Sequence, residues 1–224
     1  MHPLESIQAG GQAIMKKIIL FLLLIAVIGF GVGWYTLLPG LDVFLEKGKD
    51  VRNPRLAYNG AWGASMDIGS SRATALFRAL TAKVGLGANS SDEAIYWLAI
   101  KDKNGERLTG GKTYEVRFSQ PPAINRTAGF WSLCVYNSKD QFVPNPMKRY
   151  NLGDRSPLVK NADGSFTIYV TPRQPNQIHN WLPAPEQKEP IMLTMRMYAP
   201  LPEVLKAPGK SPMPEIIPMN EAAN

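Results

Sequence analysis

The sequence is poor in the side chains that most often carry out chemistry: its 224 residues include one cysteine and two histidines. A lone Cys134 excludes an internal disulfide, and its apolar setting from Trp131 to Tyr136 reads as that of a small hydrophobe. His2 precedes a long apolar run, which leaves His179 as the one histidine in the rest of the chain. Zinc sites draw on several His or Cys ligands, so one of each makes a poor set and no metal or cofactor is expected. A serine-hydrolase triad would need His179 as base and a nucleophile on a Gly-x-Ser-x-Gly elbow; Gly63-Ala-Ser-Met-Asp67 fails at the last glycine. Asp102-x-Asn104-Gly105 opens like a calcium loop but lacks the later ligands, and its spacing suits a tight turn. Asp154 and Asp163 are conceivable as an acid and base for sugar hydrolysis, yet the turn Asn161-Ala-Asp163-Gly164 already explains the second. No catalytic site is assigned on these grounds.

Charge is not concentrated either. The formal net charge is +7, but Lys and Arg alternate with acidic residues rather than forming a run. With no nucleic-acid-binding motif present, nucleic acid is not an expected partner.

What the sequence does have is one long hydrophobic run. No charged residue occurs from Ile18 to Leu38, and about 20 such residues cross a bilayer as a helix. Lys16 and Lys17 precede it, which by the positive-inside rule keeps the N-terminus cytoplasmic and exports the remainder. Trp34 and Tyr35 would lie at the far interface. The rival reading is a cleaved signal peptide starting at Met15; the absence of an Ala-x-Ala site and the length of the run favour a retained anchor. The expectation is an inner-membrane protein with its C-terminal domain in the periplasm. Its divisions are a cytoplasmic N-terminus (1–17), an anchor (18–38), a connector (39–69), one β-sandwich domain (70–218) and a short tail (219–224).

Ser70 or Ser71 can cap a helix whose apolar positions Ala73, Leu76, Phe77, Leu80 and Val84 follow helical spacing, with Gly85 ending it. From there the period changes to two. Residues 94–100 and 113–118 read as the two arms of a hairpin, with Asp102 to Gly105 as a turn between them. Residues 130–136 carry Trp131, Leu133 and Val135 on one face and Phe130, Ser132, Cys134 and Tyr136 on the other; both are largely apolar, which predicts a central strand. Residues 165–170 read as a half-buried strand. Residues 191–198 place Ile191, Leu193, Met195 and Met197 opposite Met192, Thr194, Arg196 and Tyr198. The proline-rich stretch beyond Pro200 reads as extended. Several short strands separated by turn residues predict a mainly β fold: an antiparallel sandwich of jelly-roll kind with one or two short helices.

Phe130-Trp131-Ser132, Arg149-Tyr150, Asp163-Gly164-Ser165, Asn180-Trp181-Leu182-Pro183-Ala184-Pro185 and Arg196-x-Tyr198-x-Pro200 together resemble the DUF1214 family, over roughly Ser70 to Pro218. The family's function is unknown. The resemblance implies a bacterial source and a β-sandwich, often preceded in longer chains by a second domain, DUF1254; here a membrane helix stands in that place, as in short anchored members. No established activity comes with it.

The candidate binding residues are Arg149, Tyr150, Asn180, Trp181, Arg196 and Tyr198. Arg196 shares a strand face with Tyr198, and a guanidinium on a covered sheet face needs hydrogen-bonding partners. Asp154, Asp163 and the Asn180 side chain are the candidates for that role; in the simplest case Arg196 makes a structural ion pair or lies at a solvated edge. The alternative is a concave polar pocket in which Arg149 or Arg196 holds an anionic group while Tyr150, Trp181 or Tyr198 packs on its apolar part. Trp181 likewise reads either as a plug at the end of the sandwich or as a presented aromatic platform. The leading expectation is a non-enzymatic envelope module that binds a small anionic or amphipathic ligand, or an envelope protein. A hydrolase working through carboxylates and Arg, and a purely structural accessory domain, are the alternatives.

Overall fold

The structure is a computed structural model that describes residues 15–33, 55–70, 73, 75–85, 87–175 and 179–219. The chain divides into two compact units, Met1–Val51 and Arg52–Asn224. In the first, helix α1 covers Met15–Gly33. Its 19 residues are long and apolar enough to cross a membrane, a property shared with signal sequences. Trp34, Tyr35 and the predicted end of the span at Leu38 lie outside the described residues.

The second unit is mainly β, with few helices. Its strands are β1 (Leu56–Asn59), β2 (Trp62–Ser65), β3 (Ala94–Ala99), β4 (Thr113–Phe118), β5 (Trp131–Tyr136), β6 (Asn151–Gly153), β7 (Phe166–Thr171), β8 (Trp181–Pro183), β9 (Met192–Tyr198) and β10 (Glu215–Met219). Helix α2 spans Ala75–Val84 and the short α3 spans Pro202–Lys206. One sheet has the order β1-β2-β3-β9-β5-β6 and the other β10-β4-β7-β8. All pairings are antiparallel except β7 with β8, which makes the smaller sheet mixed.

The two inner faces meet in one apolar core. Ile95, Trp97, Leu133, Met195 and Met197 from the larger sheet and Val116, Ile168, Val170 and Ile216 from the smaller are all buried in it. Phe118 stacks on Phe166 within the smaller sheet at 4.5 Å and meets Trp131 of the larger at 5.3 Å. Aromatic side chains of that size dominate sandwich cores, because each removes a large apolar area from water.

Several expectations change. β3 and β4 are not a hairpin: β3 pairs with β2 and β9, whereas β4 pairs with β10 and β7 in the opposite sheet. The Asp102 turn does exist. Asp102 Oδ1 accepts from the Asn104 and Glu106 amides at 2.8 and 3.1 Å. After it, however, Leu108 is drawn into the core and Thr109 bridges to Pro190, so the chain crosses to the other sheet. The connector reading for residues 56–65 gives way to a hairpin, with Asn59 paired to Trp62 across Gly60 at φ 56°. Trp62 is buried, and its Nε1 donates to the Pro214 carbonyl at 2.7 Å.

The stretch beyond Pro200 is not merely extended. It forms α3, a 3-10 turn at Pro208–Lys210, and β10, which pairs along β4. Pro218 is tolerated because β10 is an edge strand, where a missing amide donor interrupts no ladder. In α2, Phe77 and Leu80 are buried as the helical spacing predicts, as is Ala73 just ahead of it. Gly85 follows the helix and donates to the Thr81 carbonyl at 2.7 Å. Ser71 and the side chains of Leu76 and Val84 lie outside the described residues.

Candidate functional site

The outer face of the six-stranded sheet is built from alternate residues of β3, β9, β5 and β6. Register places Tyr96, Arg196, Ser132 and Gly153 in one row across the four strands. Leu98, Thr194, Cys134 and Asn151 form the next row, and Met192 faces Tyr136 in a third. On the other side of the Arg196 row, Tyr198 lies opposite Ala94 and its ring stacks on Phe130 at 4.3 Å. Two of the motifs behind the family resemblance, Phe130-Trp131-Ser132 and Arg196-x-Tyr198, thus meet on this face.

Arg196 is half-buried. Its guanidinium leans along the sheet over Cys134, with Nη1 3.2 Å from the Cys134 sulfur and Nη2 donating to the Tyr136 hydroxyl at 2.7 Å. Among the described residues no carboxylate pairs with it. Burial works against the charge, but the Tyr136 hydrogen bond and the neighbouring thiol and phenols outweigh that and hold the guanidinium pKa above its ordinary value. The partners expected from sequence are engaged elsewhere. Asp163 is exposed and its Oδ1 accepts from the Ser165 amide and hydroxyl at 2.9 and 2.7 Å, which holds its carboxyl below the usual range. Asp154 Oδ1 faces the Trp131 amide at 3.4 Å.

Around Arg196 the face is chemically mixed. Ser132 and Gly153, the next positions in its row toward β6, are small. Gly153 is required there by packing: a Cβ would run into the Trp131 carbonyl oxygen and neighbouring backbone, which cannot give way as a side-chain tip can. Thr194 is buried in the adjacent row, and its hydroxyl has no hydrogen-bond partner among the described residues. Burial raises the pKa of the Cys134 thiol, only partly countered by Arg196, and burial also raises that of the Tyr198 phenol. Both groups are therefore neutral at ordinary pH. Tyr96 is tied down by the Asn89 amide, which donates to its hydroxyl at 3.0 Å.

The other four sequence candidates lie along the excursion between β5 and β6 and at β8. Arg149 Nη1 donates to the Trp181 carbonyl at 3.1 Å. Trp181 is buried and its Nε1 donates to the Thr171 carbonyl at 2.8 Å. Asn180 is engaged by the backbone: Oδ1 accepts from the Val159 amide at 2.9 Å, and Nδ2 donates to the Val159 and Thr167 carbonyls, both at 2.8 Å. Tyr150 contacts Phe142 at 5.5 Å, and Phe142 stacks on Tyr136 at 4.9 Å. An aromatic row, Tyr136-Phe142-Tyr150, therefore links Arg196 to the Arg149 segment. A separate groove of about 350 Å³ lies beside Trp181 and the prolines 144, 146, 172, 183 and 185. His179 is exposed, and among the described residues no group of three metal-ligating side chains occurs.

Tyr96, Ser132, Tyr136 and Gly153 are participants that sequence reasoning did not single out. The alternation along β5 had put Ser132 and Tyr136 on one face. What was missing was the pairing of β5 with β9, which brings that face to Arg196.

A two-sheet, mainly β domain with a cationic and aromatic outer face is the class this geometry defines. Within it, residues 93–202 match the family model described as "Protein of unknown function (DUF1214)". The resemblance carried by the motifs therefore stands, over a stretch narrower at both ends than 70–218. Among solved structures, the chain is similar to the VPA0106 protein from Vibrio parahaemolyticus, with 27% identity and a TM-score of 0.54 over 66% of this chain and 36% of that one. It is also similar to an uncharacterised protein from Burkholderia cenocepacia, with 16% identity and a TM-score of 0.43 over 62% of this chain and 32% of that one. The chain spans about a third of the length of these solved proteins. No curated protein matches it.

Proposed function

We propose that this protein is a non-enzymatic module of the cell envelope, anchored by α1 in the inner membrane with its domain in the periplasm, that binds a small anionic amphiphile. The observation that carries the binding reading is Arg196: a half-buried guanidinium bonded to a phenol and a thiol, with no carboxylate among the described residues to neutralise it. The guanidinium holds its charge there through neutral partners alone, and an incoming carboxylate or phosphate would supply the bidentate partner that the face does not. Tyr198 and Tyr136 offer apolar surface for the rest of such a ligand, with the neutral Tyr198 hydroxyl as a further donor, while Phe130 lies between the Tyr198 ring and the Arg155 guanidinium. The apolar run of α1 behind Lys16 and Lys17 supports the anchor and its direction.

The hydrolase alternative draws no support from Asp163, whose carboxylate is committed to its own turn. The structural alternative required Arg196 to be fully paired and no sizeable pocket to exist, and a groove of about 350 Å³ lies beside Trp181.

Thermal unfolding of the full chain in phosphatidylcholine nanodiscs, with octanoate, octyl phosphate or 1-octanol added, tests the reading and separates the two head groups. Stabilisation by one or both anions and not by octanol supports it, at roughly 2.7 kcal/mol for a hundredfold excess over Kd. Equal shifts with octanol would mean that Arg196 does not read the head group.

A further inference from the structure

Apart from α1, the large apolar side chains exposed among the described residues are Tyr58, Phe142, Met147, Val159 and Met219. Three of these five lie within residues 137–160, and the structure connects them. Phe142 meets Tyr150; the adjacent Arg149 holds the Trp181 carbonyl; and the neighbouring Asn180 clamps the backbone of Val159. The same segment carries Lys139, Lys148, Arg149, Arg155 and Lys160 against Asp140 and Asp154, an excess of three positive charges, or two once Glu189, which accepts from the Ser138 amide beside Lys139, is counted. Lys139, Lys148, Arg155 and Lys160 are exposed.

The apolar residues are presented, not left over. Asn137 Oδ1 accepts from the Lys139 and Gln141 amides, both at 2.9 Å. Asn145 closes the next turn, its Oδ1 accepting from the Arg149 amide and its Nδ2 donating to the Arg149 carbonyl, each at 2.9 Å. The bridge and ring stack between Tyr136 and Phe142 fix where Phe142 emerges. A loop held this way loses little further freedom when it docks. Exposed aromatic and Met side chains flanked by lysines have the chemistry of an anionic lipid surface, with apolar groups entering the interface and ammonium groups meeting the phosphates.

We infer that the 137–150 excursion docks on an anionic lipid bilayer, inserting Phe142 and Met147 while Lys139 and Lys148 meet the head groups. The docking stands whether or not Arg196 takes a ligand. Where both hold, the stack of Phe142 on Tyr136, which in turn accepts from Arg196, places the binding face beside the lipid surface that would supply an amphiphile.

The test uses the full chain in nanodiscs of phosphatidylglycerol or of phosphatidylcholine, some made with brominated acyl chains. Trp62, Trp97, Trp131 and Trp181 are buried, and Trp34 is common to all samples, so the difference in emission between Phe142→Trp and the parent isolates position 142. In phosphatidylglycerol discs that difference should be blue-shifted and quenched by the brominated lipid. Lys139→Glu with Lys148→Glu should reduce the docked fraction on the order of tenfold. Emission at the wavelength of water-exposed tryptophan, unquenched in phosphatidylglycerol discs, would overturn the inference. So would quenching that survives the double charge reversal.

Discussion

Arg196 and Tyr136 sit on paired strands yet are not opposite one another: Arg196 faces Ser132, and Tyr136 faces Met192. Their side chains meet by reaching toward each other over Cys134, closing a hydrogen bond of 2.7 Å. The thiol beneath is left as a neutral contact of the guanidinium. This arrangement keeps a charge on a half-covered sheet face with no acid among the described residues to match it, and it separates the groups that hold the fold from those free to meet a ligand.

Asn180 belongs to the first kind. Asn180→Ala would strip hydrogen bonds from Val159 and Thr167 and leave polar groups unpaired around a buried position, at a cost of about 2–3 kcal/mol. Denaturant unfolding should show that loss, while the ligand-induced shift in Tm persists. Loss of the shift in a variant that still folds would return Asn180 to the binding residues.

Gly129 passes close to the backbone of Tyr198, and an added Cβ would collide with the Tyr198 carbonyl and with Ala199. Gly129→Ala should therefore push Phe130 off the Tyr198 ring and destabilise the domain by about 2–3 kcal/mol. Thermal unfolding measures the cost. A change in the near-ultraviolet circular dichroism of the aromatic pair would report the lost stack.

Ile216 tests the C-terminal strand. It is fully buried, so Ile216→Ala should cost about 2–5 kcal/mol through lost burial and the cavity left behind. A solvated tail would show no effect on Tm.

Cys134 gives the pH dependence. Burial raises its folded-state pKa, so between the unfolded and folded values the folded protein binds the proton that the unfolded chain has released. The contribution is complete below the unfolded value and is lost as pH rises through the folded one. Stability should therefore fall on the alkaline side, and the fall should shrink in Cys134→Ala. Iodoacetamide at pH 8 should modify the folded protein far more slowly than the denatured chain.

The faces of β5, β7 and β9 were legible in the sequence because each alternates with a period of two, a local property of the strand. Partner choice is not local. Residues 94–100 and 113–118 look like a hairpin until the buried Leu108 and the Thr109–Pro190 bridge carry the chain into the second sheet. The β1–β2 hairpin did leave a signal in Asn59-Gly60, a dipeptide suited to a tight turn, although its flanking residues lack clear alternation. Arg196 and Tyr198 were legible as neighbours on one face of a strand. Tyr96, Ser132 and Tyr136 joined them only through strand pairing. The backbone partners of Trp181 and Asn180, set by the β7–β8 pairing and the approach of Val159 to Asn180, left no local signal.

Titration calorimetry of the full chain in phosphatidylcholine nanodiscs, with octanoate and octyl phosphate, should distinguish the parent from Arg196→Met. Removing a half-buried charge that has no acidic partner should change the stability of the ligand-free protein by no more than about 1 kcal/mol. Removing the charge-assisted hydrogen bonds to the head group should weaken binding by about tenfold or more. Unchanged affinity in a folded Arg196→Met protein would mean that Arg196 does not hold the head group, and the absence of measurable binding by the parent would mean that this face takes no such ligand.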